Sequence, residues 1–191
     1  MAVNGVKSLR DLAVTAAVAQ FRASGDLSMR KVAEDVGVTA TALYHHFANK
    51  RALLDAVATR AFPEFEKNLR STKSPEPSRI IRDILEGYRK FAADEPNLFG
   101  LMFVDARPSA RKFPADFAAH RSAVFNLLWK AVHDWMTMRG AVEPNESLFL
   151  AHDIWALTHG QILLWRAGRF VDESTFRQAL NGAIDRFIET L

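Results

Sequence analysis

The stretch Ser28-Met29-Arg30-Lys31-Val32-Ala33-Glu34-Asp35-Val36-Gly37-Val38-Thr39-Ala40-Thr41-Ala42-Leu43-Tyr44-His45-His46-Phe47 decides the fold. It reads as two short helices meeting at a tight turn. Ser28 can cap the first, whose inward positions are Val32, Ala33 and Val36, and Gly37 stands where a left-handed stop is wanted. Thr39 can cap the second. There Leu43 and Phe47, four residues apart, face the core and leave Tyr44, His45 and His46 partly outward. Val38 falls in the turn, where a buried plug would hold the two helices at their angle. A short supporting helix, a turn, and a second helix with a free outer face are the parts of a helix-turn-helix, whose second helix enters the major groove. Ala40, Thr41 and Ala42 are small enough to let that helix approach DNA closely, and Tyr44, His45 and His46 offer hydrogen bonds to phosphates and base edges.

Working outward, Ser8 with Asp11 resembles a capping box, and Leu9, Leu12, Ala13, Ala16, Ala17, Gln20 and Phe21 mark one face of a helix reaching Gly25. Gln20 is the one polar residue on it. Asn49 can cap a long helix from Lys50 to about Leu69, with Lys50 at the end where its charge and free backbone amides can jointly hold a phosphate. Ser71 to Ser78, STKSPEPS, is a Pro/Ser-rich linker and the expected domain boundary. Beyond it the spacing predicts helices over Ser78–Glu95, Asn97–Val104, Asp116–Arg139, Asn145–Ala167 and Asp172–Leu191, with a loop over Arg107–Pro114. No run alternates like a strand, so the expected class is all-α: a helix-turn-helix domain over residues 1–51, a connecting helix over 52–70, and a larger helical domain over 78–191.

Composition narrows the functions. The 191 residues include no Cys, which removes disulfides, Cys-based metal sites and cysteine catalysis. There is no Gly-rich phosphate loop, no HExxH and no G-x-S-x-G, so no catalytic residues and no cofactor are expected, and an enzyme is not. The N-terminus lacks an apolar signal core and no stretch is apolar enough to span a membrane, so the expected location is the cytoplasm. The formal charge is +3, and its position matters more than its size. Up to Arg51 there are seven basic residues (Lys7, Arg10, Arg22, Arg30, Lys31, Lys50, Arg51) against four acids (Asp11, Asp26, Glu34, Asp35), while the remaining eighteen of each sign cancel. The whole excess sits where the helix-turn-helix is.

With these residues in place, Val38 to Val57, VTATALYHHFANKRALLDAV, resembles the DNA-binding signature of the tetracycline-repressor (TetR) family of bacterial regulators. Leu43-Tyr44, His46-Phe47, Asn49-Lys50 and Ala52-Leu53-Leu54 fall in the family's register, and the likeness reaches back through Ser28–Gly37 to Ala16-Ala17 and Phe21. The resemblance implies that Thr39, Ala40, Thr41, Tyr44, His45 and His46 face the groove, and that Arg30, Tyr44 and Lys50 grip phosphates. Ala40 departs from the pattern. Members often carry a polar base-reading side chain there, which would limit readout to an apolar contact such as a thymine methyl.

In the C-terminal part, Trp155-Ala156-Leu157-Thr158-His159-Gly160, with Pro96 to Phe103 upstream, resembles the Trp-His-Gly type of ligand domain found in part of that family. On the helix Asn145–Ala167 the spacing puts His152, Trp155, His159, Ile162 and Arg166 on one stripe, and Leu148, Ala151, Thr158 and Trp165 on another. One should line the interior and the other meet a partner. The family resemblance implies a homodimer through the last two helices; a pocket with apolar walls is expected from Phe99, Met102, Phe103, Phe125, Trp129, Trp155 and His159. His152 and His159, seven apart, are about 10.5 Å distant along the axis, too far to share a metal. The expected function is a ligand-responsive transcription regulator, a repressor by resemblance, that binds a palindromic operator on double-stranded DNA as a homodimer and is released by a small apolar or amphipathic effector. The alternatives are a helix-turn-helix activator and a helical adaptor that binds proteins. Salt separates the last from DNA binding, because counterion release makes DNA affinity fall steeply with ionic strength.

Overall fold

The computed structural model describes residues 8–70, 74–140 and 142–190. Part of the linker reading, Ser71 to Lys73, and the expected last helical residue, Leu191, lie outside the described residues. Among the described residues there are ten helices and no strand: α1 Leu9–Ser24, α2 Met29–Asp35, α3 Ala40–His46, α4 Lys50–Leu69, α5 Pro77–Asp94, α6 Pro96–Phe103, α7 Ala115–Ala118, α8 Ala123–Thr137, α9 Pro144–Arg166 and α10 Glu173–Thr190. None of them is long and apolar enough to cross a membrane. The chain packs into two units, one up to Phe65 together with Asp94–Ala110, the other Glu66–Ala93 together with the residues from Arg111 onward. The packing therefore groups α6 with the N-terminal helices, although it follows the linker in sequence.

The first unit is organised by caps. Ser8 Oγ accepts the Asp11 N–H (3.1 Å) and donates to its carboxylate (2.8 Å), and α1 stops at Gly25, whose φ of 70° is left-handed. The Asp11 carboxyl is held below its usual pKa, chiefly by Ser8 and also by Arg60. A short link follows, and Gln20, the polar residue on the inner face of α1, explains it: its Oε1 accepts the Ser28 N–H at 2.6 Å. Helix α2 ends in a Schellman motif. Gly37 N–H bonds to the Glu34 carbonyl (3.1 Å) and Val38 N–H to the Ala33 carbonyl (2.9 Å), with Gly37 at φ 73°. Thr39 Oγ1 then accepts the Ala42 N–H (3.2 Å) to start α3, and Asn49 Oδ1 accepts the Ala52 N–H (2.9 Å) to start α4.

Side chains on the inner faces close the core: Ala13, Val14, Ala17 and Phe21 of α1, Val32 and Ala33 of α2, Leu43 of α3 and Phe47 just after it, Leu53, Val57 and Phe65 of α4, and Leu98 and Phe99 of α6. Each large one contributes about 1.5–3 kcal/mol by leaving water. Val36 and Val38, at the turn, are half-buried rather than enclosed. The core face of α1 differs from the sequence reading at Leu12, which is 41% exposed, while Val14 is buried in its stead. The helix packs through a stripe rotated from the one its apolar spacing suggests.

The second unit holds α5 and α7 to α10. Here the expected helix Asp116–Arg139 is broken: α7 ends at Ala118, His120 takes φ 55°, and α8 begins at Ala123. In one continuous helix Phe117 and Phe125 would be about 12 Å apart along the axis. The break instead brings their rings to 4.7 Å edge-to-face. Asn126 Nδ2 donates to the His120 carbonyl (2.9 Å), which gives a partner to a backbone group in the interruption, while Asp116 Oδ2 accepts the Lys112 N–H (2.8 Å) ahead of α7. On α9 the buried positions are Ser147, Leu148, Ala151, Ile154, Thr158 and Ile162.

Gly37 has open space where a Cβ would go, so its requirement is purely one of backbone angle. Gly37→Ala is expected to lower stability by about 1–2 kcal/mol. Gly100, in α6 with equally open surroundings and no positive φ, is expected to give a gain of about 0.5–1 kcal/mol when replaced by Ala. Urea unfolding of both variants checks the pair.

Candidate nucleic-acid interface

Helix α3 presents two contrasting faces. Inward, Leu43 is 0% and Phe47 2% exposed, and the Arg10 guanidinium lies over the Phe47 ring at 5.1 Å. Outward, Thr39, Thr41, His45 and His46 are exposed, Tyr44 is 51% exposed, and Ala40 is half-buried. The two inner anchors, one turn apart, fix the rotation of the helix, so its other side is committed to solvent.

The basic residues of this unit have different partners. Arg22 is bound to Glu95 (2.9 Å) and Glu64 (3.3 Å), Arg60 to Asp11 (2.8 Å), and Arg51 donates to the Ala106 carbonyl (3.3 Å). Arg107 is enclosed, its side chain 7% exposed, between Asp55 (3.4 Å), the Met102 carbonyl (3.1 Å) and the Phe62 ring (5.5 Å). Among the described residues Arg30 and Lys31, both exposed on α2, make no side-chain hydrogen bond or ion pair. The sequence pointed to Arg30; Lys31 beside it has the same freedom, and only the structure distinguishes these two from the tied-up arginines. Lys50 is placed differently from the simple expectation. Its Nζ sits 2.5 Å from Asp26 Oδ1.

The residues expected to line a pocket divide between the two units. Phe99, Met102 and Phe103 belong to the first, where Phe103 meets Phe62 (5.6 Å), Phe65 (5.6 Å) and Phe99 (5.3 Å). Phe125, Trp129, Trp155 and His159 belong to the second. There Trp155 contacts Phe125 (6.2 Å), Phe117 (6.2 Å) and His159 (6.0 Å), and His159 Nδ1 lies 2.8 Å from the Tyr88 hydroxyl. Trp129 is anchored elsewhere, its Nε1 donating to the buried Ser147 hydroxyl (3.1 Å) and its ring stacked on His133. Three members of the Trp155 cluster went unread in the sequence: Tyr88, Phe117, and Phe113, which stacks on His152 at 3.9 Å. Phe113 lies in the segment whose two prolines read as loop, and Phe117 near the start of the helix expected from Asp116, so nothing in the local pattern set them beside Trp155. Among the described residues no three His, Asp or Glu side chains are grouped as metal ligands.

Helix α9 also differs from its two expected stripes. Leu148, Ala151 and Thr158 do line the interior, but His152, Trp155 and His159 are half-buried, and the outward face is a third one carrying Phe149 (51% exposed), Asp153, Ala156 and Leu164 (48% exposed). A Cβ placed on Gly160, on that same side, would meet nothing within 4 Å. Trp165 leaves the interior stripe to stack flat on Phe176 at 5.2 Å.

Burial lowers the pKa of His159 from the usual 6.5. A depressed histidine pKa means the unfolded chain takes up a proton first, so stability is full above pH 6.5 and is lost as pH falls below it. Melting temperature should drop between pH 7 and pH 5, and drop less in His159→Gln.

Comparison with known proteins bears on both units. Residues 12–57 match the family described as bacterial regulatory proteins, tetR family, and residues 81–191 match the tetracyclin repressor-like C-terminal domain. A 71-residue stretch is 58% identical to the tetracycline repressor protein class A from transposon 1721 of Escherichia coli, covering 33% of this chain and 32% of that protein. The chain thus spans about a third of the curated relative it matches. Among solved structures, a protein of unknown function from Rhodococcus sp. RHA1 superposes with a TM-score of 0.73 at 24% identity, covering 100% of this chain and 99% of that one. BioQ bound to its natural double-stranded DNA operator superposes with a TM-score of 0.63 at 22% identity, covering 95% and 99%. At these identities the two structures share the fold.

Proposed function

The chain belongs to the tetracycline-repressor-like (TetR) family of bacterial DNA-binding transcription regulators, and on that footing we propose that it is a homodimeric repressor released from a palindromic operator by a small apolar or amphipathic effector. The observation that carries the proposal is the outward face of α3. Leu43 and Phe47 are locked inside, and Thr41, Tyr44, His45 and His46 are left in water with no structural employment among the described residues. In this reading Thr39, Ala40, Thr41, Tyr44, His45 and His46 enter the major groove, while Arg30, Tyr44 and Lys50 hold phosphates on either side. Residues 1–51 act as the DNA-binding domain, 52–70 as the connection, and 78–191 as the effector and dimerisation domain.

A single recognition helix reads too few base pairs, and a two-fold dimer supplies a second one about 34 Å away. The outward face of α9 supports the dimer. Phe149 and Leu164 are large apolar side chains about half in water, with Ala156 and Gly160 between them small enough for a second helix to come close. The helices α9 and α10 are the proposed interface. For the effector, the cluster of Trp155, Phe117, Phe125, Tyr88 and His159 combines apolar walls with one polar pair. An effector that prefers one separation of the two recognition helices weakens operator binding by that preference and no more.

The test is binding of the purified protein to DNA flanking its own gene across a salt series. Wild type should bind tightly and lose affinity steeply with salt; Tyr44→Ala combined with Lys50→Ala should weaken binding at least about tenfold. Salt-insensitive binding, or equal binding by the variant, overturns the proposal. Leu164→Arg should shift the protein from dimer to monomer in sedimentation and reduce operator affinity with it.

A further inference from the structure

Lys50 is the residue on which the resemblance and the structure place different partners. The family register makes it a phosphate contact, yet its ammonium is already engaged by the Asp26 carboxylate at 2.5 Å. Three features hold the backbone that carries that carboxylate. Ser24 Oγ accepts the Asp26 N–H (3.2 Å), and its one proton is shared between the Asp26 and Gln20 carbonyls (3.0 Å each), so the Asp26 backbone is tied to the end of α1. Gly25 on one side is a left-handed cap, where an added Cβ would meet Asn97 Oδ1 at 2.9 Å. Ser28 on the other side is fixed by the 2.6 Å bond to Gln20. The backbone of the link between α1 and α2 has little freedom, and it carries the Asp26 carboxylate in front of α4, where Lys50 holds its pKa below the usual carboxylate value. Lys50 reaches the carboxylate on a four-carbon stem, and with 47% of the Lys50 side chain and 78% of the Asp26 side chain exposed, the pair is open to exchange with an anion from solvent.

We infer that Asp26 is an internal stand-in for a DNA phosphate, occupying Lys50 in the free protein so that operator binding exchanges one anion for another. The inference rests on the DNA-binding reading above. Its consequence is set by charge balance. Where Lys50 is free, its contact with a phosphate releases a counterion from DNA. Where it must leave Asp26, the carboxylate is uncovered beside the phosphates and attracts a cation back, so the net release at this site is close to zero. Asp26 thereby lowers affinity and makes binding less sensitive to salt than the basic residues of the N-terminal unit would otherwise give.

The experiment compares wild type, Asp26→Asn, Lys50→Ala, the double variant, and Glu34→Gln as an exposed acid on α2, each with flanking-gene DNA and with an unrelated duplex across a salt series. Asp26→Asn should bind about two- to fivefold more tightly per protomer at about 0.15 M salt, the range expected from releasing one exposed ion pair. Its log–log salt slope should steepen by about 0.9 per protomer. In the Lys50→Ala background the gain from Asp26→Asn should shrink to that of Glu34→Gln. If Asp26→Asn binds more weakly, the carboxylate positions Lys50 for DNA and the inference is wrong. An unchanged slope, or an equal change from Glu34→Gln, also overturns it while leaving DNA binding intact. If neither wild type nor Asp26→Asn binds any duplex, both readings fall together. Circular dichroism of each variant, with a helical spectrum and a single melting transition as in wild type, certifies that the comparison is between folded proteins.

Discussion

Leu43 and Phe47 lie one helical turn apart, on and just after a seven-residue helix, and their removal from water sets the orientation of everything on its other side. A helix of this length has little stability of its own, since nucleation costs more than a few intrahelical bonds return. It exists because Thr39 caps it, because the Schellman turn at Gly37 aims it, and because those two side chains anchor it in the core of the first unit. The geometry that DNA recognition needs, a rigid helix with one face free, is thus the by-product of packing its other face.

The same logic governs the polar residues. Gln20 on the inside of α1 looks like a flaw in an apolar stripe until its bond to the Ser28 amide is seen, which fixes the link into α2. Arg22, Arg51, Arg60 and Arg107 hold the first unit together, each bound to a carboxylate or carbonyl within it. That leaves Arg30 and Lys31 as uncommitted cations on α2, and Lys50 as a conditional one. Counting charge in the first fifty residues finds the right region, but only the pairing shows which charges a phosphate could recruit.

In the second unit the residues are drawn together by aromatic contact more than by helix periodicity. The interruption between α7 and α8 brings Phe117 onto Phe125, and the stacking of Trp165 on Phe176 joins α9 to α10 at the end of the interior stripe. Hydrophobic burial and edge-to-face contact outweigh the preference of the local sequence for one long helix, and His120 takes up a left-handed angle as a result.

The sequence by itself determined the all-helical class, the positions of the caps at Ser8, Ser28, Thr39 and Asn49, the glycine stop at Gly37 and the inward pair Leu43 and Phe47. These are local matters: a cap or a stop is decided by residues three or four apart, and so is legible in order along the chain. The rotation of α1 that buries Val14 and exposes Leu12, the break after Ala118, the outward face of α9 and the capture of Lys50 by Asp26 were decided by the tertiary structure. Each depends on which groups from distant positions arrive at the same place, and neither periodicity nor charge count carries that information.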